Sequence, residues 1–168
     1  MKNKQSLYKW LYETYENDLF SYGIAFGISK ELLEDAIHDV FLHLYEREHK
    51  LWESQNMKFY LLNCLKNRIR TIKKKEMNTE FLEEGSDNYS FLIEVNGFEL
   101  IDEEKERAAM QKQLKKMLDS LTDRQREAVY LRYTQGLSYE EIGKLMGIQP
   151  KACLLYTSPS PRDRTRSR

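Results

Sequence analysis

Three observations predict an all-α protein made of two small helical domains joined by an acidic linker. Apolar residues recur at three- and four-residue spacing through most of the chain. Gly and Pro are scarce, at 7 and 3 among 168 residues, whereas Leu, Glu and Lys, which lose little rotamer freedom in a helix, are abundant. The charge also reverses midway: Lys58, Lys66, Arg68, Arg70, Lys73, Lys74 and Lys75 stand together without an acid, and ten Asp or Glu follow from Glu76 to Glu104 without a base. The 27 basic and 27 acidic residues cancel overall, but a polyanion meets the local field rather than the sum. The zero net charge therefore conceals a candidate nucleic-acid surface. A hydrophobic content of 40% over this length can fill one sizeable core or two small ones.

The first domain spans 1–75. Tyr8, Leu11, Tyr12, Tyr15, Leu19 and Tyr22 form the stripe of a first amphipathic helix, with Gly23 and Gly27 as its stop. That spacing makes the stripe core rather than a stacking platform. From about Lys30 to His49 a second helix places Leu33, Ala36, Ile37, Val40, Phe41 and Leu44 on one side. After a short polar stretch, the basic segment buries Phe59, Leu62, Leu65, Ile69 and Ile72 and so displays Lys66, Asn67, Arg70, Lys73 and Lys74 outward. Three such helices close a small core.

Residues 76–104 lack sustained periodicity and contain Gly85, Ser86, Asp87, Asn88 and Gly97, the composition of a linker. Its acids either keep a tether solvated or imitate nucleic acid. The second domain, 105–153, resumes with Leu114, Met117, Leu118 and Leu121 as apolar positions. Thr122 and Gln125 have capping-box spacing, so a helix starts at Asp123, buries Ala128, Val129 and Leu131, and stops near Gly136. Ser138 and Glu141 form a second box, opening a short helix with Ile142, Leu145 and Met146, which Gly147 ends in the left-handed conformation. Pro150 then suits the first turn of another helix.

Short helix, glycine turn and new helix make a helix-turn-helix, whose second helix lies in the major groove. This arrangement offers Gln149, Lys151 and Ala152 to base edges, while Ser138 and Tyr139 can hold a phosphate at a helix N-terminus. In the first domain Trp52, Lys58, Phe59 and Tyr60 add rings and charge beside the basic helix. A base stacked on an aromatic face gains about 1–3 kcal/mol, which offsets the unstacking needed to hold a separated strand.

Two segments carry a family resemblance. Asp35 to Tyr45 (DAIHDVFLHLY), and Leu121 to Tyr133 (LTDRQREAVYLRY) followed by Gly136 to Gly143 (GLSYEEIG), resemble in that order the bacterial RNA polymerase sigma factors of the extracytoplasmic-function type. The likeness runs from about Tyr8 to Cys153. It implies that the first domain docks on core RNA polymerase through Asp35, His38, Asp39 and Leu42, with His38 where a Gln is usual. It implies that the same domain melts the minus-ten promoter element and that the second domain reads the minus-thirty-five element. By the same resemblance, the loop near Trp52 to Met57 captures a base, and Asn67 with Arg70, Lys73 and Lys74 meets the strand backbone. Thr71 stands where an acid is frequent, leaving the patch more positive. The linker would thread toward the polymerase cleft, and the family admits an anti-sigma factor as a further partner.

Leu154 to Arg168 breaks the pattern. Ser158-Pro159-Ser160-Pro161 interrupts a recognition helix that needs about three turns to fill a groove, and the segment reads as a non-native tail in place of the expected basic helix. A genuine basic tail is the alternative. Other functions fare worse. Asp35 and Asp39 with His38 and His43 lack a nucleophile, an orienting group or a phosphate loop, so neither catalysis nor a metal-dependent nuclease is expected, and no cofactor. Cys64 and Cys153 are isolated thiols without metal-ligand spacing. The absence of a long apolar run or an apolar signal core predicts a cytoplasmic protein not inserted in a membrane. The nearest rival is a helix-turn-helix regulator that binds duplex DNA without polymerase.

Overall fold

Leu33, Ala36, Ile37, Val40, Phe41 and Leu44 all lie on the buried side of one helix, Lys30–Glu46, and this side organises the N-terminal half. The computed structural model describes residues 4–47, 56–76, 89–94 and 103–148. Its helices are α1 (Lys4–Ile24), α2 (Lys30–Glu46), α3 (Met57–Glu76), α4 (Glu104–Asp119), α5 (Asp123–Tyr133) and α6 (Tyr139–Met146), with no strand among the described residues. The chain divides into two units, Met1–Asn88 and Tyr89–Arg168.

In the first unit α1, α2 and α3 each pack on the other two. The shared core takes Leu11, Leu19 and Tyr22 from α1, the α2 residues above, and Leu61, Leu62, Leu65 and Ile69 from α3. Phe41 is fully buried beneath Tyr12 and Tyr8, with ring centroids 4.9 and 6.0 Å away. Of the tyrosine stripe Tyr22 is fully buried, and Tyr8, Tyr12 and Tyr15 are half-buried at the edge of the core. Phe59 and Ile72 are only half-buried at the margins.

α1 stops where expected, at Ile24 between Gly23 and Gly27. Gly23 also serves packing: a Cβ there would come within 2.2 Å of Leu33 Cδ1, and its missing side chain lets α1 approach α2. The chain turns over Ala25–Gly27, where Gly27 adopts φ 75°. Ser29 then caps α2, its hydroxyl oxygen accepting from the Leu32 N–H.

The second unit begins its helix pair with the two expected capping boxes. Thr122 and Gln125 exchange bonds of 2.9 and 3.2 Å at the start of α5, and Ser138 and Glu141 do the same at α6 with 3.0 and 3.1 Å. Gly147 ends α6 in the left-handed conformation at φ 68°. Ala128 and Leu131 of α5 pack with Leu137 and with Ile142, Leu145 and Met146 of α6. Arg124 and Arg132 brace the turn by donating to the carbonyls of Met146 and Leu137.

Two features depart from the sequence expectation. Leu114 and Met117 are exposed instead of buried, and no residue of α4 is fully buried among the described residues. The periodicity predicted a face but could not supply a partner for it. Conversely, Tyr89–Glu94, inside the stretch expected to be linker, docks on α5. Phe91 is 0% exposed and its ring meets Tyr130 edge-on at 5.6 Å. Its N–H donates to Asp123 Oδ1 at 2.9 Å, and its carbonyl accepts from Arg126 Nε at 2.8 Å. The Tyr89 hydroxyl donates to buried Glu127.

Candidate nucleic-acid interface

The core face of α2 leaves Asp35, His38, Asp39 and Leu42 on the side away from Leu33 and Leu44, at spacings of three and four residues. Asp35 and His38 are exposed, and Leu42 keeps 44% of its surface open. Leu42 is a single apolar residue on this face, with Asp39 and Glu46 one turn to either side. Asp39 is half-buried because it meets Arg68 of α3 at 2.8 Å. The pair is more than a third exposed, so its net contribution to stability is small; its effect is to hold both side chains in place.

Beside that pair runs an open groove between α2 and α3, lined by Asp39, Leu42, His43, Cys64, Asn67 and Thr71 among others. The structure therefore joins two sets of residues that the sequence kept separate. The acidic-apolar face of α2 and the polar face of α3 are walls of one groove. Asn67 and Lys74 are exposed and Arg70 half-buried, at i, i+3 and i+7 along one side of α3. Lys74 and Lys75 are in the last turn, where cations also complement the helix C-terminus.

Lys66 corrects the expected outward display. Only 3% of it is exposed, because it lies one turn after Leu62 and one turn before Ile69, on the side of α3 that packs within the three-helix core. A period-3.6 reading places it at the border of the apolar arc, and two packing partners rather than one carry it inside. It is not placed to meet a phosphate. Lys73 also differs from the expectation: its ammonium donates to the Phe26 carbonyl in the turn after α1. Lys58 is half-buried and pairs with Asp18 at 3.8 Å.

Tyr60 is half-buried, and burial, then the neighbouring Cys64, pushes its hydroxyl pKa up. Burial likewise pushes the Cys64 thiol up, opposed by a hydrogen bond with Tyr60 and by Arg47. Cys64 accordingly stays a thiol near neutrality and makes a poor nucleophile. Trp52 lies outside the described residues, as do Gln149, Lys151 and the tail Leu154 to Arg168.

In the second unit the Ser138 oxygen accepts from Glu141 N–H as an N-cap, and the ring of half-buried Tyr139 lies 4.4 Å from the Arg132 guanidinium. The start of α6 thus has a fixed cation beside it, while Glu140 and Glu141 stand in its first turn. Sequence reasoning passed over Arg132 and Arg68. Arg68 was visible as part of the basic run, but its pairing with Asp39 depends on how α2 and α3 register against each other. No group of three or more His, Cys, Asp or Glu that could hold a metal occurs among the described residues, and no helix there is long and apolar enough to cross a membrane.

Residues 111–153 match the family model for Sigma-70, region 4. The match falls within the second unit. The whole chain is also similar to a solved structure, the sigma factor RpoE in complex with the anti-sigma factor NepR from Bartonella quintana, at 21% identity and a TM-score of 0.60, over 95% of this chain and 92% of that one. At that identity the likeness establishes the fold: an all-helical architecture shared along nearly the full length. No curated protein matches the sequence. The region 4 match takes in α5, the turn at Gly136 and α6, the helix-turn-helix of the second unit.

Proposed function

We propose that this protein is a sigma factor that directs core RNA polymerase to promoters, with the first unit as the polymerase-docking and strand-holding part. The observation that carries the reading is the occurrence, in one chain, of a match to region 4 at 111–153 and of a separate three-helix unit whose groove puts Asp39 and Leu42 of α2 beside Asn67, Arg68 and Thr71 of α3. In this reading Asp35, His38, Asp39 and Leu42 contact core polymerase. Asn67, Arg70 and Lys74 follow the phosphates of a separated strand, and Tyr60 and Trp52 lie toward the bases. Ser138, Tyr139, Gln149 and Lys151 contact promoter duplex from region 4.

The chemistry fits this division. Phosphate contacts supply affinity for any sequence, and a preference for unpaired strands needs aromatic surface as well as charge. The protein acts by positioning polymerase, not by making or breaking bonds itself. An anti-sigma factor is a natural partner, because the surfaces that meet polymerase are those that must be covered to silence the protein.

The test is capture of core polymerase by the full chain and by Asp39→Lys. The reading expects the wild type to bind and the reversal to weaken binding at least tenfold, since it places a cation against both Arg68 and the partner's surface. Equal capture by both, or capture by neither, would remove the docking assignment. Binding to duplex alone, without polymerase, would instead favour the helix-turn-helix regulator.

A further inference from the structure

Within the second unit, Tyr89–Glu94 forms a strap that α5 holds as a receptor holds an extended peptide. Burial alternates along it: Tyr89 and Ile93 are half-buried and Phe91 is fully buried, whereas Ser90, Leu92 and Glu94 are exposed. A period of two is that of an extended chain with one side turned to its binding surface. The Phe91 ring meets Tyr130 at 5.6 Å, its N–H donates to Asp123 Oδ1 and its carbonyl accepts from Arg126 Nε, while the Tyr89 hydroxyl donates to fully buried Glu127. Where extended segments are recognised, main-chain bonds supply affinity and alternate side chains supply specificity.

The receiving side chains are held by bonds of their own. Arg126 donates through Nη1 to the carbonyls of Leu118 and Leu121 and through Nη2 to Asp123 Oδ1 at 2.6 Å, and the Tyr130 hydroxyl accepts from Gln135 Nε2 at 2.9 Å. None of these bonds includes the strap. The surface is therefore preorganised, which spares the cost of ordering it when a ligand arrives. The strap contributes two aromatic side chains and the N–H and C=O of Phe91, groups that any extended segment with the same spacing can present.

We propose that the face of α5 bearing Asp123, Arg126, Glu127 and Tyr130 is a peptide-binding site for an extended segment with two aromatic residues two positions apart, that Tyr89–Glu94 is its resident occupant, and that a partner protein presenting such a segment binds in the strap's place. The first ring needs a hydroxyl, because a phenyl ring there forfeits the bond to a buried carboxylate. The second is held by burial against Tyr130. A partner so seated lies at the first turns of α5, beside Arg124, which donates to the Met146 carbonyl at the end of α6. It therefore reaches the helix-turn-helix without covering it. The inference does not depend on the sigma-factor reading.

The experiment titrates the full chain into an end-blocked, fluorophore-labelled hexapeptide with the sequence of residues 89–94 and follows anisotropy. Apparent affinity falls with the fraction of molecules whose site is open, so weakening the strap must strengthen binding of the same sequence supplied separately. Phe91→Ala is expected to bind the peptide about tenfold more tightly than the wild type does, with Phe91→Leu between them. A peptide carrying Ala at the position of Phe91 is expected to bind Phe91→Ala about tenfold more weakly than the unaltered peptide. Equal binding by the three chains, binding by none of them, or equal binding of the two peptides would overturn the proposal. Should a variant lose helicity, saturating peptide is expected to restore it by mass action, and failure to restore it would count equally against a separable ligand. Because neither polymerase nor promoter takes part, failure of the sigma-factor reading would appear only in the capture experiment.

Discussion

The two units solve the same problem, holding short helices together, by different means. The first uses apolar side chains at helical spacing on three long helices, each touching the other two. The second has an eight-residue helix, an eleven-residue helix and a longer one whose apolar face is largely open, and it closes with buried polar groups: Arg126, Glu127 and Gln135 are all at or below 9% exposure. Arg126 bridges strap, α4 end and α5, and Gln135 donates to the Tyr130 hydroxyl at 2.9 Å. Apolar packing degrades gradually when an atom is lost, whereas a polar network fails at the group left unpaired. The comparison therefore predicts that the units respond differently to single substitutions.

The largest effect is expected at Phe41. It is fully buried under two tyrosine rings, and Phe41→Ala should destabilise the first unit by about 3–5 kcal/mol. Both Trp residues of the chain, Trp10 and Trp52, belong to that unit, so tryptophan fluorescence during denaturation reports on it selectively. The fluorescence midpoint should fall while amide exchange in α5 and α6 stays unchanged. A shift in both would mean that the units do not unfold independently and would break the comparison at its root.

Arg126→Ala should act in reverse. It strips the donor from the carbonyls of Phe91, Leu118 and Leu121 and leaves Asp123 without its counterion. Removing a buried, multiply bonded charge costs about 3 kcal/mol, or roughly a hundredfold faster exchange of the α5 amides. The tryptophan transition should not move. Arg126→Met, which keeps volume but not donors, should recover little of the loss; substantial recovery would show that packing, not hydrogen bonding, holds the strap.

The same contrast explains what could be read from sequence. The α2 core positions and the caps at Thr122, Ser138 and Gly147 are local: each depends on residues three or four apart, and each appears where spacing put it. Phe91 is not local. It sits in an acidic stretch without periodicity, and its burial depends on Asp123, Arg126 and Tyr130 more than thirty residues away. The stop of α1 between Gly23 and Gly27 was local too, whereas the second use of Gly23, admitting Leu33, depends on how α2 packs. Of the candidate site, the α2 face was legible because the core positions fix its opposite side. The α3 face was only partly legible because packing on two helices widens the buried arc and takes Lys66 from the surface.

That last difference can be measured at the level of single charges. Each phosphate contact to a single strand contributes about 0.7 to the slope of log affinity against log salt concentration. Lys74 is exposed at the end of α3, so Lys74→Ala should weaken binding of an unpaired oligonucleotide and reduce that slope by about 0.7 if it makes one contact. Lys66→Ala removes the same formal charge from the same helix, yet a side chain with 3% exposure releases no counterion when DNA arrives. Its slope should match the wild type even if the unit is less stable. Equal slope changes for the two variants would place Lys66 at the DNA, and the packing that distinguishes them would then have to open on binding.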